Sequence, residues 1–275
     1  MTRTIHAPGK LMIAGEYAVL DGAPALVLAV DRGVKCTVSA SDTLEITTPD
    51  GDDRFVRPVL ARTTGSYTFS HWNPTDLPDK PGFGGSAAAC VAACVAAGRP
   101  ATHATKLHRD IQGGGSGADV AASIHGGMIR FQAGQATDVP PIQPVVIWSG
   151  KSASTQPLVD QYLSWKERAD FIRESTAIVE SFHEDPVARL HENALLLQHM
   201  AVVSGLPYAT PRLAAIASTA VRLGGAAKPS GAGGGDCAVA LFPDPDAEQA
   251  FRDACTQRGW TLIEVQVASG AEASG

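Results

Sequence analysis

The sequence predicts two folded domains of α/β or α+β type, on three observations. First, the 275 residues are 44% hydrophobic and 18% charged, the balance of a globular chain long enough to bury a sizeable core. Second, glycine numbers 28, where average usage of about 7% would give roughly 19. Fifteen of these fall in five clusters: Gly82, Gly84 and Gly85; Gly113, Gly114, Gly115 and Gly117; Gly126 and Gly127; Gly224 and Gly225; and Gly231, Gly233, Gly234 and Gly235. Without a three-residue period such clusters exclude collagen, and the ordinary sequence between them excludes a glycine-rich linker. Tight loops that bring backbone close to a ligand remain. Third, Pro140, Pro141 and Pro144 mark a boundary, giving an N-terminal domain over 1–142 and a C-terminal domain over 143–275.

The N-terminal elements are read in order. Leu11 to Val30 is apolar and broken by Gly15, Gly22 and Pro24, which reads as strands and turns. Residues 34–79 mix alternating segments, such as Leu44-Glu45-Ile46, with polar turns. Ser86 to Ala97 is an alanine-rich helix closed by Gly98 and Pro100. A short helix spans Asp119 to Ile124, and Met128 to Phe131 reads as a strand.

In the second half, Val145 to Trp148 reads as a buried strand, followed by three helices. The first carries Leu158, Tyr162, Trp165, Ala169 and Ile172 at spacings of four and three. The second starts with Asp185 as cap and Pro186 in the first turn, and the third repeats that start with Thr210 and Pro211. Cys237 to Phe242 is a buried strand, Asp246 to Arg258 a helix, and Thr261 to Val267 a final strand. The small, polar tail from Ala268 is expected to fray.

Charge and termini narrow the function. Lysine plus arginine is 22 against 28 acids, a net charge of −6, and no long basic run offers a nonspecific grip on nucleic acid or anionic lipid. The longest small, apolar run, Ala87 to Ala97, is far short of the ~20 residues that span a bilayer. The N-terminal residues lack the apolar region of a signal peptide. Cys36, Cys90, Cys94, Cys237 and Cys255 form no CxxC pair, and Cys90 and Cys94 read as small core residues rather than a zinc pair. The expectation is a cytoplasmic protein with no nucleic-acid or membrane partner.

The glycine loops carry the chemistry. Gly82 to Ala87 fits a dinucleotide fingerprint by spelling, but the fingerprint needs a buried strand before its first glycine, and three prolines interrupt residues 71–81. Gly150-Lys151-Ser152 imitates a phosphate-loop ending without its earlier glycine, since position 145 is valine. The physics of the 82–86 loop is independent of those names. Small residues expose backbone N–H groups directly before a helix, where the dipole also favours an anion. Ser86 can cap that helix or reach a phosphate-bound Mg2+. Asp119 stands at the mouth of a second glycine loop, either as a dipole-favoured carboxylate or as one aimed into a phosphate pocket. Lys10 is a snorkelling lysine unless it pairs with a distant acid or phosphate. Residues 231–235 precede a strand, and three consecutive glycines there predict a loop wrapped closely around something, with Asp236 holding it through backbone contacts.

Four segments together resemble one family. Ala7 to Leu11 with Gly15 to Leu20 is similar to the first motif of the GHMP small-molecule kinases, Lys80 to Ala88 to the second, and Lys228 to Phe242 to the third. Gly115 to Gly127 resembles the segment that carries the family's catalytic aspartate. The matches keep the family order and cover nearly the whole chain. Tyr17, the turn from Trp148 to Thr155 and the GAGGGDC sequence are most similar to the branch acting on phosphorylated mevalonate.

The resemblance implies an α+β protein with an N-terminal domain of ribosomal-protein-S5 type and a C-terminal ferredoxin-like domain. It implies ATP and Mg2+ as cofactors, and transfer of the γ-phosphoryl group to the phosphate of 5-phosphomevalonate. Gly82, Gly84, Gly85, Ser86 and Ala87 would hold the nucleotide, with Ser86 the metal ligand, and Lys10 and Asp119 would be catalytic. Glu16, Tyr17, Lys80, Ser154, Thr155, Gly231 and Gly233 would face the acceptor. Mevalonate or another small alcohol is the alternative acceptor, and a catalytically silent nucleotide-binding relative the alternative role. A phosphorylated acceptor needs added cations, for which Lys80, Lys151 and Arg130 are candidates. Monomer and homodimer are both open.

Three departures stand out against the family pattern. Gly85 replaces the first of two serines. His108 stands eleven residues before Asp119, where mevalonate kinases carry a glutamate, and Asp110 is a poor substitute. Little chain separates the first and second motifs, so the protein is short for its branch.

Overall fold

The computed structural model describes residues 2–274. In chain order, β1 (Arg3–Ala14) and β2 (Ala25–Ser39) are followed by β3 (Leu44–Thr47), a short α1 (Arg57–Leu60) and β4 (Gly65–Trp72). Then come α2 (Gly85–Ala96), α3 (His103–Gln112), α4 (Ala118–His125), β5 (Met128–Gln132) and β6 (Gln135–Val139). The second half runs β7 (Val145–Trp148), α5 (Thr155–Ser164), α6 (Ala169–Glu180), α7 (Pro186–Ser204), α8 (Pro211–Arg222), β8 (Ala226–Pro229), β9 (Cys237–Leu241), α9 (Pro245–Gln257), β10 (Leu262–Ile263) and β11 (Glu272–Ser274).

The first sheet has the order β11-β1-β2-β4-β3, with β5 also on β2 and β6 on β5. β1 and β2 form its long antiparallel spine, and their register shifts between Ala7 and Gly9 and again between Met12 and Ala14. These irregularities bracket Lys10, and such bulges re-aim side chains. The alanines of α2 let it lie close on this sheet. Ala87, Ala88, Cys90, Val91 and Cys94 join Ile5, Ala7 and Cys36 in one core cluster.

The second sheet is antiparallel, in the order β10-β7-β9-β8. One strand, a run of helices, the β8-β9 hairpin, α9 and a last strand make the ferredoxin-like β-α-β-β-α-β order. A shared cluster joins the sheets. Leu11, Ile13, Leu26 and Leu28 pack with Val146, Trp148, Cys237 and Val239. All five cysteines are buried and free, as the core reading requires. Among the described residues, no helix is long and apolar enough to cross a membrane.

Three expectations are corrected. The helix read through Leu158 to Ile172 is two helices, α5 and α6. Trp165 adopts an extended ψ of 120° while its N–H closes on the Tyr162 carbonyl at 3.0 Å. The apolar spacing survives the break because Tyr162 meets Trp165 and Phe171 edge-on in one aromatic cluster. The strand read over 261–267 is only two residues long, although Val267 makes an isolated bridge to Val30. The tail does not fray. β11 pairs antiparallel with β1, so the chain's end returns to the first sheet.

Candidate active site

Residues from both halves line a cleft of about 980 Å³. Its floor is built from two helix starts. The first turns of α7, α8 and α9 are capped by the side chains of Asp185, Thr210 and Asp244, each with proline in the first turn. By contrast, α2 and α4 begin at Gly84 (φ 72°) and Gly117 (φ 85°) with no side-chain cap. Both of these starts line the cleft. A helix leaves its first N–H groups without intrahelical partners, so the cleft receives donors from α2 and two positive dipole ends, while in α4 the Ala118 and Val120 N–H groups donate to Ser116 Oγ and Asp119 Oδ1.

Lys10 and Asp119 converge on Gly84. A Cβ built there would stand 3.3 Å from Cγ of Lys10 and 3.7 Å from Cβ of Asp119. The Lys10 backbone N–H donates to the Phe83 carbonyl at 2.9 Å, and its Nζ donates to the Gly82 carbonyl at 3.4 Å. The same Nζ is 3.6 Å from the Cβ position of Gly231. The ammonium therefore sits between the first and last glycine loops.

Asp236 closes the gap between those loops. Its Oδ2 would be 2.3 Å from a Cβ at Gly82, an approach only glycine permits. Its Oδ1 accepts from the Ala153 N–H at 2.9 Å. Burial raises its carboxyl above the ordinary range, with Asp79 adding to the rise and the Ala153 N–H and Lys10 opposing it.

Ser86 and His108 meet across the floor, Oγ to Nε2 at 3.1 Å. The imidazole is buried and stacks on Phe55 with centroids 5.0 Å apart. Burial lowers its pKa against the pull of Asp119, which favours the neutral ring. Asp110 is exposed and outside the cleft. Among the described residues no three His, Cys, Asp or Glu side chains gather to hold a metal alone. A nucleotide-borne Mg2+ asks less, one or two protein oxygens beside its phosphates and waters. The Ser86 hydroxyl and Asp119 carboxylate, both in the first turns of cleft-lining helices, fit that requirement.

The other expected residues divide. Glu16, Tyr17, Lys80, Thr155 and Gly231 line the cleft with Gly82, Gly84, Gly85 and Ser86. Ala87, Ser154 and Gly233 do not. Ala87 turns into the α2 core, Ser154 is the exposed residue before α5, and the side-chain direction of Gly233 runs into Tyr208. Of the candidate cations, Lys80 pairs with Asp50 at 2.9 Å, while Arg130 pairs with Glu180 and, like Lys151, lies outside the cleft. The sequence reading assigned no role to Lys228, which bonds to Glu16 out of solvent. Its one signal was an ionisable residue directly after Ala226 and Ala227 in a strand that proves fully buried.

The GHMP kinases C terminal model matches residues 177–259. The chain is 31% identical to the phosphomevalonate kinase of Streptomyces sp. (strain CL190), over 91% of this chain and 92% of that one. That alignment runs over 354 positions against 275 residues here, so the relative carries insertions that this chain lacks. The chain is also 26% identical to the mevalonate kinase of Pyrococcus abyssi, over 89% and 90%. In fold, it matches the Lin0012 protein from Listeria innocua with TM-score 0.89 and 22% identity, covering 100% and 99% of the chains. It matches Streptococcus pneumoniae phosphomevalonate kinase, in complex with phosphomevalonate and AMPPNP, with TM-score 0.79 and 19% identity, covering 98% and 100%.

An α+β chain of two sheets, with glycine-started helices facing a shared cleft, is thus built as a small-molecule kinase is. The chain belongs to the GHMP kinase superfamily.

Proposed function

We propose that the protein transfers the γ-phosphoryl group of ATP to the phosphate of 5-phosphomevalonate, giving diphosphomevalonate and ADP. The observation that carries the reading is the placement of Lys10 and Asp119 together against the Cβ direction of Gly84, at the uncapped start of α2. Full-length similarity to a phosphomevalonate kinase supports the acceptor.

In this reading, the N–H groups of Gly84, Gly85 and Ser86 cradle the triphosphate. Mg2+ supplies charge neutralisation on the phosphates when bound. The acceptor phosphate is already largely ionised near pH 7, so no strong base is required. Lys10 neutralises the charge of the transferred group, and Asp119 orients Lys10 or the acceptor. Positioning and preorganised charge then supply most of the acceleration. Residues 1–142 would carry the nucleotide, and the loops of 143–275 would close over the acceptor.

The placement of the three cations expected from the sequence leaves room for a second reading, while Arg32, Arg54 and Arg109 also line the cleft. With Arg130 and Lys151 outside the cleft and Lys80 held by Asp50, an uncharged alcohol such as mevalonate would also be served, with Asp119 accepting its proton. Either way, Lys10→Met and Asp119→Asn should each lower kcat by at least about 100-fold while ATP still binds. Near-normal kcat in a variant, measured by ADP release beside calorimetric ATP binding, removes that residue from its role.

A further inference from the structure

A buried ion pair lies behind the acceptor side of the cleft. Lys228, in β8, bonds to Glu16 in the turn after β1, and the side chains are 0% and 1% exposed. Lys228 Nζ also donates to the carbonyls of Pro229 at 3.0 Å and Met12 at 3.3 Å. The second oxygen of Glu16 accepts from Nδ2 of buried Asn193, in α7, at 3.0 Å. The Gly231 N–H reaches the first oxygen at 3.5 Å. One carboxylate thus joins the end of β1, α7 and the last glycine loop. Two further bonds run alongside. The Met12 N–H donates to Ser230 Oγ at 2.8 Å, and the Tyr17 hydroxyl donates to the Ala232 carbonyl at 2.5 Å.

Stability alone gives a weak reason for such a pair. Desolvating two charges offsets most of their attraction, and apolar replacements of similar volume are often as stable. What an apolar pair cannot do is offer the segment that leads into this glycine loop a carboxylate for the Gly231 N–H and an ammonium for the Pro229 carbonyl. That loop passes beside Lys10 Nζ, and its flexible backbone needs polar anchors to keep one conformation. Burial pulls the Lys228 ammonium toward neutrality, and Glu16 opposes this.

We propose that the Glu16–Lys228 pair is a positioning device for the acceptor. It fixes the Gly231–Ala232 turn against Gly15–Tyr17, so that the acceptor meets the Lys10 ammonium in line. This rests on the kinase reading above. It makes Glu16 a positioning residue rather than an acceptor ligand, and gives it Lys228 as partner.

The test is the double variant Glu16→Met/Lys228→Met in the full chain. Its Tm should stay within about 5 °C of the parent, as for other apolar replacements of buried pairs. Its KM for ATP should change by less than about threefold, while its KM for the acceptor rises at least about tenfold. Amide exchange over residues 230–234 should quicken by at least about tenfold. A folded double variant with parental acceptor KM and parental exchange would show the pair to be structural only. If the double variant does not fold, Asn193→Ala takes its place. It frees one carboxylate oxygen, and unchanged acceptor KM and loop exchange there overturn the proposal equally. If the parent enzyme phosphorylates neither mevalonate nor phosphomevalonate, the functional reading fails, and the exchange measurement still decides the role of the pair.

Discussion

Single residues decide the chemistry here, and Gly85 is the most informative. It stands where the family motif has a serine, in the first turn of α2, with helical φ and nothing within 4 Å of its Cβ direction. Serine therefore fits without strain. Gly85→Ser should stabilise the fold by about 0.4–1 kcal/mol through the unfolded chain, read as a small rise in Tm. Asp236 makes the opposite case, a side chain whose charge costs the fold something. Its carboxyl is raised by burial in the folded state, while unfolded it titrates near the ordinary value. Below about pH 4 both states are protonated and no penalty exists. As pH rises through the folded pKa, the unfolded state ionises more readily and stability is lost. Asp236→Asn keeps an acceptor for the Ala153 N–H but cannot ionise. It should be more stable than the parent at pH 7, with the advantage vanishing near pH 4, in urea titrations at the two pH values. Equal or lower stability at pH 7 would contradict this electrostatic account.

At the scale of elements, caps and breaks show what could be read in advance. Asp185 and Thr210 next to their prolines were legible because a cap is a local event, and both side chains accept the expected N–H. The start of α2 was only half legible: the sequence left Ser86 as either cap or phosphate ligand, and the structure starts the helix at Gly84 with no side-chain cap. The break between α5 and α6 was not. No glycine or proline marks it, and the aromatic cluster that turns the chain is tertiary. Helix α3 was missed because its mostly polar sequence has few apolar positions, with only Ala104 and His108 buried. The tail misled the reading because its small residues look frayed until β1 offers an edge to pair with. Removing residues 270–275 should therefore destabilise the fold by about 1–2 kcal/mol, a fall of roughly 2–8 °C in Tm, with folding retained. An unchanged Tm would show that β11 adds nothing.

At the scale of the molecule, two sheets share one apolar cluster and leave one large cleft with glycine loops on its opposing walls. The resemblance groups Lys10, the second glycine loop and Asp119, and the fold brings these residues to one place, because ordered motifs transfer as a set. It did not place the cations. Lys80, Lys151 and Arg130 were grouped by charge alone; the fold pairs Lys80 with Asp50 and Arg130 with Glu180 and leaves Arg130 and Lys151 outside the cleft. The buried partner of Glu16 was equally hidden, since nothing local to residue 16 points to residue 228. Ligand linkage follows from the cleft. ATP with Mg2+ at about 100 times its Kd should add roughly 2.7 kcal/mol of stability, whichever acceptor is used.

The central claim is the acceptor, and one coupled ADP-release assay with ATP and Mg2+ measures it, with phosphomevalonate and mevalonate run side by side on the same enzyme. The account predicts turnover with phosphomevalonate at a kcat/KM at least about tenfold above that with mevalonate. Turnover with mevalonate alone, or with neither, would contradict it.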